Sequence, residues 1–431
     1  DKASIILTPT AYDNGKALCV KPSDGSGDFD FSRNSAATRV NAQGLVENVQ
    51  ILSSNLVQNP SFSEEGSEEV SNGSFSQEGV QLITNGDFSN GSTDWNKETG
   101  WTITGGNLVA TSVSGTAAYQ VGTGIVSGKT YKVQFEITEY TAGAVGLRAG
   151  TGSTLQTFNS IGVHSAYMVA SGALQVRFDV SGTTTLKIDN VSCVEVGQDW
   201  ILTQATIGDG EVTITSTDGS YAGIKQTGVF DIGKTYFYSF NVTSIIGTGQ
   251  IRAGTNGVDF TTNGLVSGYI VATSNQTLEI KRIGGAFNAT IDNISVKEVG
   301  QNWVLGGSGL NTATIGSNSA TITSVDGNSY LQQNSVFTSG KSYKISYEIL
   351  SSSGSSVLKM ISSLGLATVP TTVGTHTVYG TATTTTFYIE RVSNGINATI
   401  TNIKIIEITS DTSLPRINYE GFSYQDVLGS E

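Results

Sequence analysis

Residues 59–88 read NPSFSEEGSEEVSNGSFSQEGVQLITNGDF, and the stretch says one thing three times. Asn59-Pro-Ser-Phe62, Asn72-Gly-Ser-Phe75 and Asn85-Gly-Asp-Phe88 start 13 residues apart. Each copy reads as a short strand-like phrase. Three such phrases in a row need three bodies to belong to.

Three bodies follow. GKTYKVQFEI at 128, GKTYFYSFNV at 233 and GKSYKISYEI at 340 are offset by 105 and 107 residues. A closing phrase ends each unit: LKIDNVSCVEV at 186, ATIDNISVKEV at 289 and ATITNIKIIEI at 398. Asp94-Trp95, Asp199-Trp200 and Asn302-Trp303 sit near the starts. RAGTGS at 148 and RAGTNG at 252 match one another, whereas the third unit has KMISSLG. In the marker strands Tyr131, Val133 and Phe135 alternate with polar residues, as do Tyr236, Tyr238 and Phe240, and Tyr343, Ile345 and Tyr347. A period of two puts each set on one face of a strand. Turn signals separate many such runs, and no apolar stripe of helical period stands out. The expected fold class is all-β: three tandem jelly-roll-type β-sandwiches of about 100 residues each.

The opening phrase is present before the first body and missing from the other two. Nesting resolves this. Phe88 is assigned to the first body, Phe75 to the second and Phe62 to the third, the order that avoids crossed connections. Thirteen extended residues reach ~43 Å at ~3.3 Å each, and a 100-residue domain is roughly 35 Å across, so one step passes one body. The alternative is that the extra copies are decayed duplications in a linker.

The pattern ITNGDFSNGSTDW through GKTYKVQFEI to LKIDNVSCVEV resembles the carbohydrate-binding-module family 4/9-like sandwich. Residues 1–56 resemble something else. TPTAY, PSDGSGDFDFSR and SAATRVNAQGLVE are similar to the opening module of virion fibre proteins from tailed phages that infect Bacteroidetes, including crAss-like phages. In that family a phrase like LPRIDY soon follows the GLIE hairpin. Here SLPRINYEGF stands at 413–422, after all three sandwiches, so the sandwiches look inserted into the fibre module. The usual continuation of that phrase is replaced by EGFSYQDVLGSE. The expected division is 1–56 plus 411–431 as the anchoring module, 57–93 as the triplicated opening segment, and 94–198, 199–300 and 301–410 as the sandwiches. AYDNGKALCV and TRVNAQGLVENV each read as strand, turn and strand. The resemblance implies a virion protein made in the bacterial host cytoplasm, a homotrimer, with phage capsid or other virion proteins as partners and a host-surface glycan as a further one. A head fibre is favoured over a tail-fibre receptor binder. A secreted bacterial carbohydrate-binding protein is the rival.

Composition narrows the field. The net charge is −13, from 23 basic and 36 acidic residues. That argues against nucleic acid, whose binding rests on cationic side chains, and against an anionic membrane surface. No apolar run approaches the length of a transmembrane helix, and DKASIILTPT does not read as a signal peptide. Cys19 and Cys193 are too few and too distant for a disulfide framework or a zinc cluster.

No catalytic constellation assembles, so a non-enzymatic role is expected. His164 and His376 are read as isolated imidazoles at non-equivalent places. Glu64, Glu65, Glu68 and Glu69 read as a solvated acidic face. The sandwich resemblance implies a structural calcium ion, the one cofactor expected, at Asp87, Asp189 and Asp292, against a reading in which these only cap turns. Thr401 replaces the aspartate in the third body. For a glycan, an exposed aromatic beside an amide is the requirement. The candidates are Trp101, Tyr119 with Gln120, Tyr221 with Gln226, and Tyr330 with Gln332. The competing reading is that these aromatics are core. Trp95, Trp200 and Trp303 recur in every unit, which suits packing.

Overall fold

The structure, a computed structural model, describes residues 51–409 apart from 181, 308–309 and 392–394, with five short strands upstream; its description of side chains starts at residue 53. Most of the expected fibre module, including the 413–422 phrase, lies outside the described residues. Upstream, Pro9–Asp13 pairs with Lys16–Cys19, and Thr38–Val40 with Val46–Asn48, both antiparallel as the turn signals imply. The chain forms two compact units, Glu65–Val299 and Asp1–Glu64 with Gly300–Glu431.

The unit Glu65–Val299 contains the first two sandwiches. In the first, one antiparallel sheet runs Trp101–Thr104, Asn107–Val113, Thr184–Val196, Thr130–Ala142, Gly162–Val169. The facing sheet runs Gln156–Phe158, Val145–Ala149, Gln175–Val180, Ala117–Val121, Asn96–Lys97. Tyr131, Val133, Phe135 and Ile137 are wholly buried between them, as the period-two alternation requires. The second sandwich keeps this order, but Thr235–Ala253 and Leu278–Val299 each run unbroken through both sheets.

The other unit carries the third sandwich. Its sheets are Val304–Gly306, Ser329–Gln333, Phe387–Arg391, Leu358–Met360, Leu366–Val369 and Thr312–Gly316, Ser319–Ser324, Ile396–Thr409, Ser342–Gly354, Gly374–Thr381. The divergent KMISSLG phrase becomes a single helical turn, Ile361–Leu364, closed by Gly365 in the left-handed region (φ 68°).

The 51–88 stretch supplies one strand and one turn to each sandwich, in reverse order. Glu78–Gln81 pairs with the closing strand of the first, Glu65–Glu68 with that of the second, and Ile51–Leu52 with that of the third. Phe88 packs on Trp95 (ring centroids 5.1 Å), Phe75 on Trp200 (5.3 Å) and Phe62 on Trp303 (4.8 Å). All six rings are buried.

The repeated phrase itself is a turn, not a strand. Asn and Phe of every copy have positive φ, between 47° and 57°, and each Phe amide donates to the carbonyl of its Asn. The Asn side chain accepts from the amide five residues on (Glu64, Gln77, Asn90; 3.0–3.1 Å). The Asn carbonyl accepts from the indole of the matching Trp (3.0–3.1 Å). Asn tolerates the left-handed region and offers a short acceptor. Phe does not favour it, and burial of its ring offsets that strain. The second turn also lies flat against its closing strand: a Cβ on Gly73 would stand 1.9 Å from the Ile294 carbonyl oxygen.

Side chains at a 13-residue spacing complete the attachment. Asn55, Glu68 and Gln81 each present an oxygen to a closing-strand amide (Ile405, Val296, Cys193; 2.8–2.9 Å). The acidic cluster is therefore not simply a solvated face: Glu68 caps the closing strand, and Glu65 pairs with Lys297 at 2.9 Å. In each body the first tyrosine of the marker strand accepts a backbone N–H five residues upstream of it: Val126 to Tyr131, Asp231 to Tyr236, Thr338 to Tyr343 (2.7–2.8 Å).

Cys193 is wholly buried in the first sandwich, and burial pushes its thiol up to about 12. A thiolate-directed reagent at pH 8 is expected to leave it unmodified in the native protein and to label it only under denaturant. Native labelling within minutes would show that the first core opens readily.

Candidate carbohydrate-binding faces

The outward face of the second sheet of the first sandwich is built by a cross-strand row. Asn96, Tyr119, Arg177 and Arg148 are register partners in turn. The Arg177 guanidinium lies over the Tyr119 ring, 5.4 Å from its centroid. Its Nε donates to Asp179 at 2.5 Å, and Glu98 is 3.6 Å away. Arg148 reaches the other Asp179 oxygen at 3.3 Å. Tyr119 is thus half-buried, with a cation over its ring.

Beside this row lies a cleft of ≈ 510 Å³ lined by Thr84, Asp94, Asn96 and Gln120 among others. Its volume falls within the ~300–1,000 Å³ of small-molecule sites. Thr84 Oγ1 donates to Asp94 at 2.9 Å, so the carboxylate is oriented toward the opening segment.

The corresponding face of the second sandwich centres on Glu279. The Tyr221 hydroxyl donates to it at 2.7 Å, and Lys225, Arg252 and Lys281 stand 3.2, 3.7 and 3.9 Å away. Burial alone would raise its carboxyl, but the hydrogen bonds from Tyr221 and Lys225 and the nearby cations hold it below the usual range. The paired state is therefore complete above the ordinary glutamate pKa and is lost as pH falls through the depressed one. Lys225 also sits over the Tyr221 ring at 5.1 Å. A smaller cleft of ≈ 170 Å³ opens here, lined by Lys225, Thr227, Asn275 and Glu279 among others. Tyr221 is 39% exposed, the most accessible of the candidate aromatics.

Several candidates move. Trp101 is 4% exposed and belongs to the first core, so it offers no platform. Gln120 and Gln226 are buried and turned inward. Gln120 accepts from the Thr84 amide (3.0 Å) and donates to its carbonyl (2.8 Å). Gln226 does the same for Ser71 (2.8 and 2.9 Å). Their counterpart in the third sandwich is Gln333, bonded to Gln58 (2.9 and 3.0 Å), rather than Gln332, whose amide donates to Asn334. Registering the glutamines places Tyr119 opposite Lys225 and Gln332, so the three tyrosines are not equivalent. Tyr330 packs edge-on to Tyr388 at 5.7 Å.

His164 and His376 are equivalent after all. Each is the register partner of the third inward-facing residue of its marker strand, Phe135 or Tyr347. Each ring nitrogen also meets the carbonyl four residues before it, Ser160 at 2.7 Å and Thr372 at 2.5 Å.

The three aspartates do not fit a carboxylate calcium cage. Asp87 accepts from Ser89 N and Oγ at 3.2 and 2.9 Å, and these bonds lower its carboxyl. Asp189 and Asp292 accept from the next residue, Asn190 and Asn293, at 2.7 and 2.5 Å. Those asparagines have positive φ, as does Asn402, at a bulge that recurs in every closing strand. Among the described residues no three Asp, Glu, His or Cys side chains converge.

No protein-family model and no curated protein matches the chain. Solved structures do. The tandem CBM22-1–CBM22-2 domain of Xyn10C from Paenibacillus barcinonensis is 9% identical, with a TM-score of 0.24, over 52% of this chain and 99% of that one. A chain in the atomic structure of Sulfolobus Turreted Icosahedral Virus is 11% identical, with a TM-score of 0.19, over 73% and 90%. A chain in a structure of the triple jelly roll fold and turret assembly in an archaeal virus is 9% identical, with a TM-score of 0.21, over 74% and 90%. Scores this low leave the fold to be assigned from the sheets themselves.

Proposed function

We propose that this chain is a non-enzymatic fibre or decoration protein of a tailed-phage virion, with a head fibre favoured, whose sandwiches adhere weakly to surface glycans. One observation carries the reading. Ile51–Leu52 runs antiparallel to the end of Ile396–Thr409, with Leu52 opposite Ile408 and Ile51 opposite Thr409. The segments before 51 and after 409 therefore leave side by side. These are the segments whose sequences resemble the two parts of one phage fibre module, so the sandwiches sit as a single insertion in it. A homotrimer and a capsid partner follow from the same resemblance.

The polar cleft beside Asn96 and the Tyr221–Lys225–Glu279 patch suit shallow contacts with hydroxyl-rich ligands. Many copies would raise avidity without a strong single site.

Immunogold labelling of purified particles with antibody to residues 94–408 tests this. Gold over capsids supports the head fibre. Gold at tails favours a receptor-binding tail fibre. Unlabelled particles overturn the virion reading and favour a secreted carbohydrate-binding protein.

A further inference from the structure

The first sandwich carries the second on a defined row of residues. Lys132 is the register partner of Val194 on one side and Tyr167 on the other. Tyr167 and Val194 pack against the core of the second sandwich. The Tyr167 ring lies 3.5 Å from the position a Cβ on Gly208 would take, in the strand Ala205–Gly208. The chain enters that sandwich directly from Val196, the end of the closing strand.

The same row recurs in the third sandwich as Ile406, Lys344 and Tyr379. Tyr379 is 56% exposed. The closing strand ends at Thr409, opposite Ile51, so the chain enters at 51 and leaves at 409 at the same end of the strand pair that flanks this row. A large aromatic kept at the position that seats a following domain, with two chain segments emerging beside it, identifies the occupant.

We infer that the Tyr379 row of the third sandwich seats the module formed by residues 1–50 and 411–431 of the same chain, as the Tyr167 row seats the second sandwich. This rests on the functional reading only in taking the two end segments as one module; it requires neither a virion nor a glycan.

The test uses the full chain with Tyr379 replaced by the photoreactive p-benzoylphenylalanine, and a parallel chain with Tyr167 so replaced. After irradiation of a mixture of isotopically light and heavy protein, cross-linked peptides are identified by mass spectrometry. The Tyr167 probe should join residues 205–208, which establishes that the probe reports a seated neighbour. The Tyr379 probe should then join residues 1–50 or 411–431 of its own copy. Light–heavy adducts would overturn the inference and make this face an interface between copies. Adducts confined to 51–409, or none where the Tyr167 probe reacts, would overturn it as well. Particle labelling is independent of every one of these outcomes.

Discussion

Replacing Phe75 with Ala is expected to cost the second sandwich about 3–5 kcal/mol, the usual price of removing a fully buried aromatic. Phe75 is 1% exposed, packs on Trp200 at a tilt and belongs to the core that includes Tyr236, Phe240 and Ile291. Hydrogen exchange resolves where the loss falls. Amides of 205–299 should lose protection, while those of 101–196 keep theirs. The contrast is sharp because Phe75 stands close in sequence to the first sandwich but more than a hundred residues before Trp200. Phe88→Ala should do the reverse. If Phe75→Ala instead loosens 101–196, the nested threading is wrong.

That threading was legible because copy number and spacing are combinatorial facts: three opening phrases and three bodies admit few uncrossed pairings. The alternation of Tyr131, Val133 and Phe135 likewise fixed which face is buried. What hid was conformation and polarity. Asn59, Asn72 and Asn85 look like strand openers until their left-handed φ is seen, and hydropathy does not encode that. The glutamines misled because an amide beside a tyrosine suits a sugar as well as it suits a backbone. A signal was available: Gln58, Ser71 and Thr84 keep the 13-residue spacing, as do Asn55, Glu68 and Gln81, so the repeat extends upstream of its obvious core. The histidines carried a signal too, since their separation is the sum of the offsets of 105 and 107 residues. Trp101 had none, because an aromatic without counterparts in the other units reads equally as core or platform.

Gln226→Leu should destabilise the second sandwich by about 3 kcal/mol without involving any ligand. A primary amide carries a donor N–H and an acceptor C=O side by side in one plane, which matches the paired N–H and C=O of one backbone residue. Gln226 uses both functions on a single residue, taking the Ser71 amide at 2.8 Å and giving to the Ser71 carbonyl at 2.9 Å. Leucine keeps the volume and removes both partners. Ser71, an exposed residue whose backbone meets Gln226 in part-buried contacts, then loses the partners of its N–H and C=O, at roughly 1–3 kcal/mol for each group that water does not reach. Because Ser71 immediately precedes the Asn72–Phe75 turn, the ring of Phe75 should loosen with it. Combining Gln226→Leu with Phe75→Ala should therefore cost less than the sum of the two, since both release one attachment. Denaturant titration of the single and double variants gives the coupling. Strict additivity would mean that the amide and the ring hold the segment independently. Weakened glycan binding at unchanged stability would restore Gln226 to the ligand face and remove it from the fold.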